Sequence, residues 1–593
     1  MQSESIENLN LHSVKKTFKR LKRGTKSFSG FIVRDPLDFL DFEVNLENNI
    51  KELILNINKY NYHPAKPYLH LSAKSKGINR PTVIFDVQDA LVYRFCVEQI
   101  EKELFKQTRN NRNIRGGIMI TANKNEEGDD YYEKWFNDWK DHQKSLENIL
   151  NYKQYLVITD IASYFENINI LLLKDLIRTD IDGKQGILNL LFYFLENCRF
   201  RFCYEVNTFN GLPQEDIDCS RVLAYYFLGN HDVEMARFCR NNDADFFRFV
   251  DDMSIALNDE VTGKKALRYL TESLRRLNLV SSIEKTSILR KDEAKRELFF
   301  EENEVLTKIE ENILDKILKK QQPDNEENQL IEFYKECINL NKHKLKNWVK
   351  VLRRFYSLFS YIESDYFLSN IANDLINIPT LFSKNKLAKY LISNKEFNID
   401  KLKICIIDLI NYLYSEDNLY PALESNILES LLYFTLDDFD IELNYKVKEL
   451  AINLFFKNKI KPLSDYARAL ACLLVYRFSD KDDVEKIANH YLKYTESDYM
   501  LKKHIIFITL TLENDDLRKK IIKKATNEQN ISINRLINFI ENMNQYKDYS
   551  LVKNYINNNK LYIYYDKYNG LEIVKNYLPI RAEILKKLID IYK

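Results

Sequence analysis

Three aspartates occupy positions in the sequence where their carboxylates could hold metal ions. Asp251 and Asp252 are adjacent within the apolar stretch 246–257, FFRFVDDMSIAL, and Asp160 ends the apolar run 155–160, YLVITD. Carboxylates buried together are costly unless positive charge compensates them. Two Mg²⁺ ions, or Mn²⁺ in their place, would supply that charge while also binding substrate phosphates. The expected chemistry is therefore metal-dependent nucleotidyl transfer from a nucleoside triphosphate to a hydroxyl group.

Other side chains near these acids in the sequence fit the same reaction. Phe165, in IASYFENI, would lie under the sugar of the incoming nucleotide, where its bulk collides with a ribose 2′-hydroxyl and favours dNTPs. The amide of Gln214, in GLPQ, could help to hold that nucleotide, and Lys285 could protonate or neutralise the departing pyrophosphate. The candidate triphosphate ligands lie upstream, on a predicted flexible hairpin: Lys74, Lys76 and Arg80.

These side chains can meet only if a small group of strands positions them. The continuous apolar run 155–160 is typical of a central strand that is buried on both faces. The stretch 246–257 predicts two short strands joined by a tight turn at residues 250–252, and 81–85, PTVIF, predicts a third strand. Eleven of the twelve glycines lie at or before Gly263, so the first half is expected to be mixed α and β with many turns.

The second half of the sequence has a different pattern. Beyond about residue 300, apolar residues recur at helical spacing, as at Ile406, Leu409, Ile410 and Leu413, and the interruptions are short and polar. This pattern predicts a chain of helical hairpins of solenoid type, and one irregular helical bundle remains the alternative. The predicted domains are an N-terminal basic helical extension (1–70), an α+β domain (71–302) and an all-α helical-repeat domain (303–593).

The order of the motifs over residues 70–300 resembles the reverse-transcriptase family. In sequence order they are NRPTVIFDVQDALVYR, VITDIASYFENI, GLPQ followed by SRVLA, FRFVDD for the [YF]-x-D-D box, and LNLVSSIEKTSIL. The resemblance implies right-hand polymerase fingers and palm. It also implies roles for individual residues: catalysis by Asp160, Asp251, Asp252 and Lys285; metal binding by Asp160, Ile161, Asp251 and Asp252; nucleotide binding by Phe165, Gln214, Arg80 and Lys76.

One motif departs from the family pattern. The family usually has Pro-Gln-Gly-x-x-x-Ser, whereas here Glu215 replaces the glycine, Cys219 occupies the serine position and Ser220 comes one residue late. Because this motif backs the template and the nucleotide, the change puts ordinary templated copying in doubt. The FVDD box and the long helical C-terminal half resemble bacterial abortive-infection and related defence-associated reverse transcriptases.

That resemblance implies a DNA polymerase in antiphage defence, and some members of the group work without a template, prime on their own tyrosine and oligomerise. The expected partners are dNTPs, a DNA product and further copies of the chain, with RNA as an open possibility. The alternatives are an RNA-templated reverse transcriptase with a bound noncoding RNA, an RNA-synthesising polymerase, and a non-catalytic palm scaffold whose helical domain binds a partner.

Composition sets further limits on partners and location. Lysine and arginine number 88 and aspartate and glutamate 87, so nucleic acid would have to bind through local basic patches. Residues 14–26 contain seven basic side chains, and the candidate nucleic-acid contacts are Lys15, Lys19, Lys22, Arg23 and Lys26; a merely solvated basic face is the alternative. The cysteine spacing and the absence of a long apolar segment predict a reduced, cytoplasmic protein without a membrane span.

Overall fold

The chain folds into two compact units whose segments interleave in the sequence. The first unit contains Met1–Phe31, Leu46–Leu69 and Thr82–Phe300, and the second contains Ile32–Asn45, His70–Pro81 and Glu301–Lys593. The computed structural model describes residues 6–23, 33–74, 76–107, 112–117, 119–121, 130–198, 201–202, 206–207, 211–382, 386–395, 398–496, 498–558, 563–565, 572–574 and 579–592. Two short segments of the N-terminal part therefore group with the C-terminal helices.

A five-stranded sheet forms the centre of the first unit. Its strands are β3 (Ile114–Arg115), β4 (Tyr155–Thr159), β7 (Asp245–Phe249), β8 (Asp252–Leu257) and β9 (Ser287–Arg290), in the order β3-β7-β8-β4-β9. Only the pair β3 and β7 is parallel. Strand β8 is central and five of its six residues are buried, so both of its faces are covered. The predicted strands 155–160 and 246–257 are thus neighbours.

Helices surround this sheet, and α10, α11 and α12 pack directly on its strands. The remaining described strands before residue 300 form two separate two-stranded sheets, one of β1 (Tyr68–Ala73) and β2 (Asn79–Ile84) and one of β5 (Arg201–Phe202) and β6 (Val206–Asn207). The helices up to this point are α1 (Leu11–Arg23), α2 (Leu40–Glu43), α3 (Leu46–Asn58), α4 (Val87–Gln107), α5 (Asp130–Ile149), α6 (Tyr164–Asn167), α7 (Ile170–Asp180), α8 (Gln185–Asn197), α9 (Cys219–Phe227), α10 (Gly229–Asn241), α11 (Glu260–Arg276), α12 (Lys291–Glu297) and α13 (Phe300–Leu318).

The second unit is mainly helical. Alternate helices contact one another in series, from α15 through α17, α19, α21 and α23 to α25. A second series of contacts joins α16, α18 and α20. The bounds are α14 (Asp324–Asn339), α15 (Trp348–Tyr361), α16 (Ile371–Asn377), α17 (Lys386–Ser393), α18 (Ile399–Tyr414), α19 (Pro421–Leu431), α20 (Ile441–Phe456), α21 (Asp465–Phe478), α22 (Lys481–Lys493), α23 (Tyr499–Thr509), α24 (Asp515–Asn527), α25 (Ile531–Glu541), α26 (Met543–Tyr546), α27 (Ser550–Asn558) and α28 (Pro579–Ile591). A hairpin of β10 (Ile563–Tyr565) and β11 (Glu572–Val574) was not anticipated by the all-helical prediction. Within the described residues, no helix has both the length and the apolar character required to cross a bilayer.

A buried ionic cluster holds the early segment 33–45 within the second unit. The ammonium group of Lys503 bonds to the carboxylates of Asp35 and Asp41, and all three side chains are fully buried. Arg581 in α28 donates to Asp38 at 2.7 Å. Charges removed from water are costly unless they are paired, so these partners require one another. Residues near the start of the chain are therefore part of the core of the C-terminal helices.

Candidate active site

The central sheet brings Asp160 and Asp251 together. Strands β4 and β8 pair antiparallel with Thr159 opposite Met253, so the residue after β4 lies beside the turn before β8. Asp160 is only 4% exposed, and its Oδ1 atom has no hydrogen-bond partner in the described part of the chain. Burial, then the negative charges of Asp160 and Asp252, raise the pKa of Asp251 to about 7. Two carboxyl groups thus share one site in which full ionisation is unfavourable.

The donor set of this pair fits Mg²⁺ better than a softer metal. Magnesium is commonly bound by one or two carboxylates, with water and substrate phosphates completing its coordination. Asp252 is exposed at the start of β8. Among the residues described, no group of three or more acidic, histidine or cysteine side chains is arranged to hold a metal ion. Metal binding by Asp160 and Asp251, like that by Asp252 and Ile161, therefore stays a prediction.

Lys285 lies directly against this acidic pair. Its ammonium group forms an ion pair with Oδ2 of Asp160, although 60% of the lysine side chain is exposed. Partial burial lowers the pKa of Lys285, but the hydrogen bond with Asp160 and the nearby acids outweigh it and raise that pKa. The lysine segment is fixed because Ser282 N donates to Asp160 O at 2.7 Å and Ile161 bridges Ser281. The structure thus places the Lys285 ammonium group beside Asp160.

Phe165 and the GLPQ motif also lie next to one another. Phe165 is half-buried in α6, and its carbonyl accepts a hydrogen bond from Leu212 N at 2.8 Å. A side chain at Gly211 would place its Cβ atom 2.2 Å from that carbonyl oxygen, so only glycine fits. The carbonyl of Gln214 in turn accepts from Val83 N at 2.6 Å. These contacts connect three of the predicted motifs through main-chain bonds.

Glu215, the residue that departs from the family pattern, folds back on its own loop. Its carboxylate accepts hydrogen bonds from the amides of Ser220, at 2.7 Å, and Ile217. Ser220 N lies at the start of α9, where unpaired amides and the helix dipole favour a negative charge. Arg94 further secures the loop by donating to Ile217 O at 2.9 Å. The glutamate therefore acts as a cap for α9.

Sequence reasoning missed the role of Glu215 and that of Arg248. Glu215 lies three residues before the N-cap position of α9, outside the position at which a capping residue is recognised in a sequence, so no signal identified its role. Arg248 interrupts an otherwise apolar strand and is fully buried. A buried guanidinium requires partners, so the position itself indicated a specific ionic contact.

The remaining predicted contacts lie on the hairpin of β1 and β2 and on helix α1. Lys76 and Arg80 are exposed on the hairpin of β1 and β2 and belong to the second unit, so their role stays a prediction. In α1, Lys15 forms an ion pair with Glu47 at 2.6 Å, whereas Lys19 is exposed and Lys22 is half-buried. The Arg23 side chain and Lys26 lie outside the described residues. The basic face of α1 is thus partly neutralised.

Comparisons with known proteins give only distant similarity. No protein-family model matches the sequence, and no curated protein matches it. Among solved structures, apo telomerase from Candida tropicalis is 11% identical over 65% of this chain and 68% of its own, with a TM-score of 0.30. Candida telomerases in complex with a TWJ fragment of telomeric RNA also match: that of C. tropicalis is 13% identical over 64% of this chain and 67% of its own (TM-score 0.29), and that of C. albicans is 11% identical over 66% of each chain (TM-score 0.30). Scores this low do not define a shared fold, so the interpretation depends on the site itself.

Proposed function

We propose that the chain is a reverse-transcriptase-like DNA polymerase that transfers nucleotides from dNTPs to a hydroxyl group and releases pyrophosphate. The observation that carries this proposal is the pairing of Asp160, at the end of β4, with Asp251, in the turn between β7 and β8, beside Lys285. An acid pair on adjacent antiparallel strands with a neighbouring cation fits nucleotidyl transfer. The order of the flanking motifs adds support.

The residues of the site would divide the work as follows. Asp160 and Asp251 would hold Mg²⁺, which when bound supplies positive charge to the triphosphate and lowers the pKa of the attacking hydroxyl. Lys285 would leave Asp160 to meet the charge that develops on the departing pyrophosphate oxygen. Phe165, fixed through Gly211, would support the sugar of the incoming dNTP and exclude a 2′-hydroxyl.

The proposal is tested by nucleotide incorporation. Purified protein is incubated with Mg²⁺ and labelled dNTPs or NTPs, with and without added RNA and primer, and the products are separated on denaturing gels. Incorporation of dNTPs that Asp251→Asn abolishes supports the proposal. Asp437→Asn is the matched control, since Asp437 is an exposed acid in the other apolar-flanked Asp-Asp sequence, LYFTLDDFDIEL. No incorporation by the wild-type protein, or full activity in Asp251→Asn, would refute a polymerase and favour a non-catalytic scaffold.

The same gels address priming and templating. We propose synthesis without a template, starting from a hydroxyl of the protein, because the resemblance to defence-associated reverse transcriptases implies it. A labelled product whose mobility changes after protease treatment supports protein priming. Dependence on added or co-purified RNA would instead identify an RNA-templated enzyme. Preferential use of NTPs would identify an RNA-synthesising polymerase and contradict the role proposed for Phe165.

We also propose that the polymerase serves antiphage defence, with the helical unit contributing to oligomer formation. The support is again the resemblance, together with the serial contacts among α15 to α25, which provide an extended helical surface. Survival of phage-infected cells that express wild-type protein or Asp251→Asn tests the first part. Light scattering of the purified protein tests the second, and a monomer at all concentrations would contradict it.

A further inference from the structure

Arg248, in strand β7, makes an unusual set of buried contacts beside the acid pair. Its side chain is fully buried, and two of its nitrogens bond to both carboxylate oxygens of Asp232, Nε at 2.7 Å and Nη2 at 2.5 Å. The third nitrogen, Nη1, donates to the carbonyl of Val250 at 2.6 Å. Asp232 lies in the first turn of α10, and the Tyr225 ring centroid is 5.0 Å from the guanidinium carbon. The arginine therefore joins a helix to the turn that carries Asp251.

That turn has a backbone conformation that needs support. Val250 has a φ angle of +57°, which is in the left-handed region. A β-branched residue there is an outlier that persists only where the surroundings impose it. Its amide donates to Arg115 O at 3.3 Å, and its carbonyl receives the bond from Arg248. Both main-chain polar groups of Val250 are thus engaged.

The neighbouring strand closes the turn from the other side. Strand β3 pairs with β7 so that Ile114 is opposite Arg248. A Cβ atom at Gly116 would lie 2.7 Å from Cγ2 of Val250, so the valine side chain is packed against the backbone of the residue after β3. Contacts from β3 hold one side of the turn, and the Arg248–Asp232 pair holds the other.

The chemistry of this pair requires an arginine. A guanidinium presents donors in a rigid fork and can bind a carboxylate through two bonds while it directs a third donor elsewhere. A lysine at the same place would keep the charge but could not satisfy Asp232 and the Val250 carbonyl in the same geometry. The opposite charges of Arg248 and Asp232 also largely cancel. The pair therefore affects Asp251 by fixing where it lies more than by its charge.

We propose that Arg248 and Asp232 are positioning residues that hold the Val250 turn so that the Asp251 carboxylate meets that of Asp160. This inference rests on the proposed function, because it assigns the pair to the metal-binding geometry of the same site. Neither side chain touches a substrate. They set the orientation of Asp251, and they act on it through the main chain of Val250.

The direct test measures metal binding without substrate. Mn²⁺ binding to purified protein is followed by calorimetry or by electron paramagnetic resonance. Arg248→Lys is expected to weaken binding roughly tenfold or more, the range typical of residues that orient metal ligands. Arg468→Lys is the matched control: Arg468 is also buried, binds both oxygens of Glu496 at 2.7 Å, and lies over the Phe455 ring. It belongs to the second unit, and its replacement is expected to leave Mn²⁺ affinity unchanged.

A second variant separates positioning from general stability. Glycine adopts positive φ without strain, so Val250→Gly reduces the need for the clamp. Mn²⁺ affinity in the double variant Arg248→Lys, Val250→Gly is expected to recover to within about threefold of the Val250→Gly protein, since coupled residues are non-additive. If the two substitutions instead weaken Mn²⁺ binding by independent factors that multiply in the double variant, Arg248 acts elsewhere and the proposal is overturned.

Hydrogen exchange supplies a readout that needs no metal. The Val250 amide is expected to exchange faster in Arg248→Lys and in Asp232→Asn than in the wild-type protein, while amides in the second unit keep their rates. Unchanged exchange at Val250, or unchanged Mn²⁺ affinity in Arg248→Lys, would overturn the inference. Normal Mn²⁺ binding without any nucleotide incorporation would refute the proposed polymerase and leave the positioning role intact, and a wild-type protein that binds no Mn²⁺ would overturn both.

Discussion

The charge of Asp251 is expected to destabilise the folded protein at neutral and alkaline pH. Burial and the neighbouring acids raise its pKa from an ordinary value near 4 to about 7. Between these values the folded state binds a proton that the unfolded state has lost, so stability falls as pH rises through this window. Below about pH 4 the effect is absent, and above about pH 7 it is complete. Asp251→Asn, which keeps the shape and removes the charge, is therefore expected to stabilise the protein at pH 8.

The size of this gain follows from the pKa shift. A difference of about three units at about 1.4 kcal/mol each gives an upper limit of about 4 kcal/mol. The neighbouring acids interact with Asp251, and its side chain keeps some contact with solvent, so a gain of about 2 kcal/mol at pH 8 is the working expectation. At pH 5 the unfolded chain has already lost this proton while the folded state keeps it, so the difference in stability between the two proteins is expected to be about one third of that at pH 8.

Unfolding in urea at pH 5 and pH 8 with a chelator measures the effect. Trp139 is a suitable reporter because its ring centroid lies 5.0 Å from that of Phe249, at the end of β7. Replacement of Trp135 and Trp348 by phenylalanine in both proteins restricts the fluorescence signal to Trp139. Asp437→Asn serves as the control for a general effect of removing an acid. Equal differences at both pH values, or a loss of stability at pH 8, would refute the reasoning.

Three further outcomes are expected. Glu215→Gly removes the acceptor for two amides near the start of α9 and should destabilise the protein by about 1–2 kcal/mol, whereas Glu215→Gln should retain part of the cap; urea unfolding measures both. Lys285→Met should lower the rate of dNTP incorporation roughly 100-fold with little change in unfolding, since most of the side chain is exposed; an unchanged rate would exclude its role. Lys503→Met removes the ammonium group that pairs with Asp35 and leaves Asp41 with Arg535 at 3.6 Å; it should cost about 3–5 kcal/mol in the second unit, a loss that Lys481→Met, at an exposed ion pair, should not reproduce.

The sequence predicted local elements well wherever a short motif determines its own conformation. The apolar run before Asp160 forms β4, and the FVDD stretch forms a hairpin, because apolar residues and a tight turn decide both. The order of the motifs assigned Lys285 and Asp160 to one site, but it did not predict the ion pair between them. In each of these features, residues close together in the sequence or within one known motif determine the local structure.

Contacts between distant side chains could not be predicted in the same way. The bond from Arg248 to Asp232 depends on where α10 packs against β7, and pattern alone does not fix that packing. The cap made by Glu215 depends on a loop that folds back, so an unusual residue could be noticed without its role being seen. The exposure of Asp252 likewise depends on which residue of the hairpin adopts the left-handed backbone conformation, and in the structure this is Val250.

The ionic cluster around segment 33–45 has a consequence for protein synthesis. Asp38 pairs with Arg581, which is added to the chain 543 residues later. A ribosome must therefore add all the intervening residues before this contact can form, and until Lys503 has been added Asp35 and Asp41 lack the ammonium group that pairs with them. The helical unit cannot reach its native core as a separate translation product of its own C-terminal sequence. Expression of residues 301–593 alone would leave Lys503 and Arg581 buried without their carboxylates.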